Sequence, residues 1–360
     1  MNHPLPRGWR EFQIKDICSI NYGKGLGKNN IVEGNIPVYS SGGIIGYHNE
    51  SLINSKGVII GRKGNAGSVF YSNSPFFCID TAFYVEANDN IDLKFLYYKL
   101  TSIKLERHKI DSAVPGINRD TIYSISITIP PIDEQKRIAE VLSLCDKLIE
   151  NLTKLIEKKE IYKKGVMQRV LTGKVRFNGF KDEWREINLR DIVEEYSIPN
   201  TNKLKQYTIG KNGIKELDDF RHSIDKHKVF KKNDLIVGIG IDEINVNINL
   251  DYGCCSPVYR VYSINTNLLN PKFGYFYIRK AIDRIKNKIT RKSTRREFEF
   301  DHKEFIKYSI LLPSLEEQNK IAELLTLIDK DIEILKQLLH LRKLQKKGLM
   351  QKLLTGEVRL

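Results

Sequence analysis

The sequence predicts an α+β chain in which two similar mixed α/β heads alternate with two long helices, and three observations predict it. The first is a duplication. Residues 130–177 return as 313–360, 183 positions on and without a gap, with half of the paired positions identical. PPIDEQKRIAEVLSLCDKLIENL is answered by PSLEEQNKIAELLTLIDKDIEIL, and KKGVMQRVLTGKVRF by KKGLMQKLLTGEVRL. The second is apolar spacing inside that segment. Ile138, Leu142, Cys145, Ile149, Leu152 and Ile156 return as Ile321, Leu325, Ile328, Ile332, Leu335 and Leu339. Their alternating steps of four and three place an apolar seam on one side of a helix, and such a seam requires a partner. The third is a weaker echo ahead of each helix. Trp9-Arg10-Glu11 with Ile14-Lys15-Asp16-Ile17 matches Trp184-Arg185-Glu186 with Leu189-Arg190-Asp191-Ile192. The order is therefore head 1–129, helix 130–177, head 178–312 and helix 313–360. A period this long is a tandem domain duplication, not a solenoid of short repeats.

Within the first head, Val58-Ile59-Ile60-Gly61 and Phe83-Tyr84-Val85 read as strands bounded by Gly and Ser-Asn turns. Residues 92–100 read as a helix, with Asn90 or Asp92 available as its cap. The second head repeats the plan with a strand at 234–238. Its helix starts at Asn270-Pro271, a capping residue followed by proline at the first helical position. Each head ends on a strand-like run, 125–129 and 308–312, that leads through Pro130 or Pro313 into a long helix. A helix of roughly 38 residues is about 57 Å long. Its outward faces are charged yet keep Val141, Leu144, Leu324 and Leu327.

At 360 residues the chain exceeds the usual size of a single core, in keeping with two heads. Lys and Arg exceed Asp and Glu by 15, split +3, +4, +6 and +2 over the four segments in order. That excess points to a polyanionic partner, most simply nucleic acid. Five cysteines with no CxxC pair, two of them adjacent at Cys254-Cys255, suggest neither a zinc site nor a disulfide framework. MNHPLPRGWREF has no apolar signal core, and no apolar run approaches the roughly 18 residues of a membrane span. The expected setting is soluble, reducing and cytoplasmic, with no membrane partner.

Catalytic patterns are missing. The seven histidines are scattered singly, without HExxH or a Cys/His cluster. Gly23-Lys24-Gly25-Leu26-Gly27-Lys28 fails the Walker A spacing, with Asn29 where Ser or Thr would hold magnesium, and Gly238-Ile239-Gly240 lacks the third glycine of a dinucleotide fingerprint. No nucleophile elbow or kinase set is present, nor the Asn-Pro-Pro-aromatic type of motif expected of an enzyme that methylates amino groups. The expectation is a binder, not an enzyme, with no catalytic, metal or cofactor residue of its own.

The heads share a frame but differ in their loops. The first carries Ser40, Ser41 and Tyr47 in one glycine-rich stretch and Arg62, Lys63 and Asn65 in another. Glycines there let backbone approach a ligand closely, so these six are candidate DNA contacts; the bland alternative is two hairpin turns with solvated charges. The second head carries Arg291, Lys292, Ser293, Thr294, Arg295 and Arg296. Four cations in six residues suit phosphate neutralisation, and an arginine there could clamp a guanine edge; a solvated helix end explains the same run.

A head beginning Leu5-Pro6-Arg7-Gly8-Trp9 runs into a proline-led helix with Glu134-Gln135-Lys136-Arg137-Ile138-Ala139, that helix ends with Leu171-Thr172-Gly173-Lys174-Val175-Arg176, and all of it comes again. In this it resembles, over its whole length, the DNA-specificity subunit of type I restriction-modification systems. The resemblance implies two target-recognition domains, each reading one half of a bipartite duplex DNA site. It also implies an antiparallel helix pair that forms a pseudo-two-fold internal repeat, sets the spacer between half-sites and docks two methylation subunits. S-adenosylmethionine, ATP and Mg then belong to the methylation and the motor/nuclease subunits. A helix of this length is ample for half-sites about 34–36 Å apart. The rival readings are a coiled-coil interaction protein with nonspecific nucleic-acid binding, and an enzyme such as a nuclease or fused methyltransferase with a dispersed site.

Overall fold

The computed structural model describes residues 5–27, 32–110, 113–201, 204–210, 213–217, 226–239, 244–248, 252–292 and 298–360. The first head opens with β1 (Arg10–Gln13) and one helical turn, α1 (Ile14–Ile17). It continues through β2 (Cys18–Tyr22), β3 (Ile36–Ser40), β4 (Gly43–His48), β5 (Gly57–Gly61), β6 (Val69–Ser72), β7 (Phe77–Cys78) and β8 (Ala82–Ala87). After α2 (Leu93–Ser102) and the short α3 (Arg119–Tyr123), β9 (Ser126–Ile129) returns to pair antiparallel with β1. A four-stranded sheet runs β2-β8-β5-β6 and a three-stranded one β4-β3-β7.

Val58, Ile59 and Ile60 break the alternation expected of a half-exposed strand because β5 is covered on both faces. Val58 and Ile60 join the main core with Trp9, Phe83 and Phe95, while Ile59 joins a small second core with Tyr39, Phe76 and Cys78. Asp92 is the cap of α2, its carboxylate accepting from the Phe95 amide at 2.8 Å. The Trp9-Arg10-Glu11 echo marks an edge strand that sequence alone leaves unassigned.

After the first long helix, α4 (Ile132–Val170), the second head repeats the plan: β10 (Arg185–Asn188), β11 (Val193–Tyr196), β12 (Gln206–Gly210), β13 (Gly213–Glu216), β14 (Lys228–Phe230), β15 (Leu235–Ile239), β16 (Ile244–Ile248), β17 (Gly253–Cys255) and β18 (Arg260–Ile264). Then come α5 (Pro271–Ile285), β19 (Thr290–Lys292), β20 (Phe298–Phe300), α6 (His302–Ile306), β21 (Ser309–Leu312) and the second long helix, α7 (Leu315–Leu353). The order β11-β18-β15-β16 copies the first head's large sheet, and the parallel pairing of β12 with β17 copies that of β3 with β7. The strand at β15 starts one residue later than the sequence suggests. Asp234 is instead a turn residue whose carboxylate accepts from the Tyr196 hydroxyl and the Lys231 amide.

Both long helices have 39 residues, about 58 Å at 1.5 Å per residue. The chain divides into two compact units, one of Met1–Lys154 with Lys336–Leu360 and the other of Leu155–Leu335, so both divisions fall inside the long helices. Each unit is a head, the start of the helix that follows it and the end of the other helix.

In the first unit Glu134, 3% exposed, is held at two points by Arg359, at 3.0 and 2.7 Å, and Asp146 pairs with Lys346. Partners fall in number on α7 as they rise on α4, so the helix halves run antiparallel. The second unit makes the same bonds with the roles exchanged. Glu317, 0% exposed, is held by Arg176 at 2.9 and 2.7 Å, and Asp329 pairs with Lys163. These are the duplicated residues, each acid now meeting the base of the other repeat.

The seam is used differently from a plain coiled coil. Ile138 and Leu142 belong to the first head's core, and Ile321, Leu325, Ile328 and Ile332 to the second head's. Leu152 and Ile156 are buried, but Cys145, Ile149, Leu335 and Leu339 are only partly so. Heads and helices thus share one core per unit, because the stripe nearest each helix start faces sheet and α2 or α5 as well as the paired helix. Val141 and Leu324 also pack partly against these cores, leaving Leu144 and Leu327 outward.

The helix ends complete the cores. Leu353 and Leu354 are buried in the first, Val170 and Leu171 in the second. The buried Lys99 donates from Nζ to the Leu354 carbonyl at 2.6 Å and to Thr128 Oγ1 at 3.1 Å, capping the end of α7. Burial pushes its ammonium down from near 10.5 to about 8. Between those values the unfolded chain holds a proton that the folded chain has released, so this residue makes stability rise with pH across that window. Denaturation curves of wild type and Lys99→Met across this pH range are expected to diverge, the wild type gaining on the variant as pH rises. Parallel curves would show that Lys99 keeps an ordinary proton affinity. No helix among the described residues is long and apolar enough to cross a membrane.

Candidate nucleic-acid interface

Two glycine-rich loops of the first head meet in space. The β3–β4 turn is locked by Ser40, whose hydroxyl donates to the Gly43 carbonyl and accepts from the Gly42 amide, both at 3.2 Å. The loop after β5 closes on itself through the Gly67 amide on the Gly61 carbonyl at 2.8 Å. A Cβ on Gly42 would sit 3.0 Å from Asn65 Nδ2, and one on Gly64 would lie 3.7 Å from Ser41 Oγ, so the two loops are adjacent. A third segment joins them, because Gly64 N–H donates to the Pro115 carbonyl at 2.8 Å and Ile117 N–H to the Arg62 carbonyl at 3.0 Å.

The structure therefore brings together Ser40, Ser41, Arg62, Lys63 and Asn65. Tyr47 is not among them: it lies opposite Pro37, four residues along β4 from the turn, roughly 13 Å away at strand rise. Arg62 is half-buried, its NH1 donating to the Asp80 carbonyl at 2.9 Å, whereas Lys63 and Asn65 are exposed. Sequence reasoning did not single out Tyr22, whose ring lies under both Arg62 and Arg119, nor Ile44 and Ile45. The two isoleucines are 50% and 53% exposed beside the turn, next to an open cleft of about 440 Å³ that Tyr39, Phe70, Tyr71 and Tyr97 help to line.

In the second head the basic run begins on a strand, not on a helix end. α5 stops at Ile285, and β19 pairs with β20, Arg291 facing Glu299 and Lys292 facing Phe298. Arg291 is committed to the fold: its Nε donates to Asp301 Oδ2 at 2.5 Å, and it holds that carboxyl below the usual range. Asp301 in turn caps α6 by accepting from the Glu304 amide at 3.2 Å. Ser293, Thr294, Arg295 and Arg296, and the Lys292 side chain, lie outside the described residues.

Among the described residues no group of three or more His, Cys, Asp or Glu is placed to hold a metal. Burial pushes the thiols of Cys18, Cys78 and Cys255 up to about 12, far from the thiolate that nucleophilic chemistry needs.

Comparison with known proteins bears on the whole chain. Residues 6–160 and again 181–341 match the profile described as type I restriction modification DNA specificity domain. The MjaVIII type I restriction enzyme specificity subunit of Methanocaldococcus jannaschii is 25% identical over 350 residues, covering 86% of this chain and 81% of that one. A stretch of 153 residues is 35% identical to S.MpnORF285P of Mycoplasma pneumoniae, named as a type I specificity subunit. That match covers 39% of this chain and about half, 49%, of the relative. The crystal structure of an S subunit of a type I restriction-modification system from M. genitalium shares the fold, with a TM-score of 0.69 at 19% identity over 98% of this chain and 97% of that one. Since the profile takes in both heads and most of the paired helices, the chain belongs to the type I restriction-modification DNA specificity family.

Proposed function

We propose that this chain reads a bipartite duplex DNA sequence for a type I restriction-modification complex, each head reading one half-site and the long helices setting the spacer. One observation carries the reading: the same frame is built twice, with the ion pairs of its helices duplicated, while the loops that could touch DNA differ in charge, and those after β5 and β15 in length as well. A frame kept constant beneath divergent loops suits two readers of different sequences.

Docking of two methylation subunits is supported by the exposed apolar residues of the helices. Leu144 and Leu327 occupy equivalent positions in the repeat, as do Ile161 and Leu344, and all four are at least 52% exposed. Each unit carries one member of each pair, Leu144 with Leu344 in the first and Leu327 with Ile161 in the second. The same patch made twice fits two copies of one partner. In this reading the chain supplies recognition in the cytoplasm. S-adenosylmethionine sits on the methylation subunits, and ATP and Mg serve the motor/nuclease subunits that join through the complex.

The test is a transplant. Moving residues 178–312 into another specificity chain is expected to change one half of its methylated sequence and leave the other, as read by methylome sequencing. Changes in both halves, or in neither, would refute independent reading. Retention of random duplexes without enrichment of any split sequence would favour a coiled-coil protein that binds nucleic acid nonspecifically.

A further inference from the structure

Tyr22 ends β2 with 52% of its surface exposed. Two guanidinium groups lie over this one ring, Arg62 with its Cζ 5.0 Å from the centroid and Arg119 with its Cζ at 5.3 Å. Two cations gathered around one exposed ring favour a ligand that presents negative charge or electron-rich acceptors. Arg62 has a second tie, to the Asp80 carbonyl. Among the described residues Arg119 has none: its Nε is buried without an acceptor, and its other ring contact is Tyr123, 5.8 Å from Cζ.

Tyr123 is itself fixed, its hydroxyl accepting from the Ile20 amide at 2.8 Å. Two rings thus orient one planar guanidinium, and no described residue pairs with its terminal N–H edge. That fork matches the paired acceptors O6 and N7 of guanine in the major groove. Arg119 also stands on the same platform as the glycine loops, since Ile117, two residues before it, is bonded to Arg62 and Gly116 bridges to Lys63.

The second head shows what the same position looks like when it is closed. His302 corresponds to Arg119, each following the cap of its short helix. It stacks on Tyr262 with ring centroids 5.6 Å apart, meets the Tyr262 hydroxyl through Nδ1 at 2.8 Å, and lies 3.3 Å from Glu195 through Nε2. Its polar edges are taken by protein. Those of Arg119 are not, among the described residues.

We propose that Arg119 determines specificity in the first head by giving its guanidinium edge to a guanine of that head's half-site, with Tyr22 and Tyr123 as positioning residues. The proposal rests on the reading of the chain as a DNA-specificity subunit. It is tested by selecting from a library of random duplexes with the full chain assembled with methylation subunits, comparing wild type, Arg119→Ala and Arg119→Lys. Wild type is expected to enrich a split sequence. Arg119→Ala is expected to lose a preference for guanine at one position of one half-site, by roughly 5- to 150-fold, with the other half-site unchanged as an internal control of folding. Arg119→Lys keeps the charge but not the fork, and is expected to lose the same preference at an unaltered salt dependence. A guanine preference that survives both substitutions, loss of both half-sites, or uniform weakening with a shallower salt slope would each overturn it, the last by making Arg119 a phosphate contact. If the wild type enriches no split sequence, the parent reading falls with it, an outcome separable from failure of Arg119 alone.

Discussion

Removing residues 354–360 is expected to melt the first head while leaving the second folded, although the deletion lies at the opposite end of the chain from the head that it unfolds. Leu354 is 1% exposed within the first head's core, and its carbonyl accepts from the buried Lys99. Loss of a buried leucine side chain costs about 2–5 kcal/mol. Loss of Arg359 leaves Glu134 buried with its charge uncompensated, a further cost on the order of 3 kcal/mol. The two effects share a core and need not add, but either is a large fraction of the roughly 5–15 kcal/mol that holds a domain folded.

Arg359 holds the Glu134 carboxyl below its usual range, so this pair's contribution is present above the ordinary glutamate value and is lost as pH falls through the lowered one. Hydrogen exchange is the measurement. Amides of β5 and α2 are expected to lose protection and those of β15 and α5 to keep it. Arg176→Ala should reverse the pattern, because Arg176 is to Glu317 what Arg359 is to Glu134. Full protection of the first head after truncation would show that the helix end is not part of its core.

Gly67→Ala is expected to abolish reading by the first head without unfolding its unit. Gly67 has φ +87°, and a Cβ there would lie 2.3 Å from the Glu106 nitrogen and 2.6 Å from its Cα. Both are backbone atoms, so no side-chain rotation relieves the overlap, and the left-handed conformation itself costs about 1–2 kcal/mol. The loop carrying Arg62, Lys63 and Asn65 must then shift away from the backbone at Leu105–Glu106, which strains the bonds that tie it to Pro115 and Ile117. Gly64→Ala is the control: it has φ +77°, but its Cβ would meet nothing closer than Ser41 Oγ at 3.7 Å. Half-site enrichment with circular dichroism separates the two. A Gly67→Ala chain that still reads both half-sites would show that loop geometry does not matter to recognition.

The frame was legible where local chemistry and repetition agree. Asp92 and Asn270-Pro271 announce their helices by capping, and the doubled seam announces the paired helices. The sharing of Ile138 and Leu142 with a head was not legible, since a stripe says that a helix face is buried but not against what. Arg119 was missed for a related reason. In Gly116-Ile117-Asn118-Arg119 it has no cluster around it, and Tyr22, which orients it, lies on a strand from the far side of the head's sequence. Arg291 is the opposite case. A run of cations drew notice, yet its first member answers Asp301, ten residues on, and so belongs to the fold.

The division of the chain into one continuous and one discontinuous unit fixes an order in time during synthesis. Leu155–Leu335 leaves the ribosome as a single stretch and has all of its parts once Leu335 has emerged. The first unit does not, because Glu134 and Arg359 are 225 residues apart. At about 5–20 residues per second, Glu134 waits roughly 10–45 s for the arginine that neutralises it. Through that interval the first head has an open core and half of an unpaired apolar helix, the kind of surface that nascent-chain chaperones cover. The head translated first is thus completed last, and a slow stretch of codons after Leu335 lengthens the exposure of the first head without touching the second.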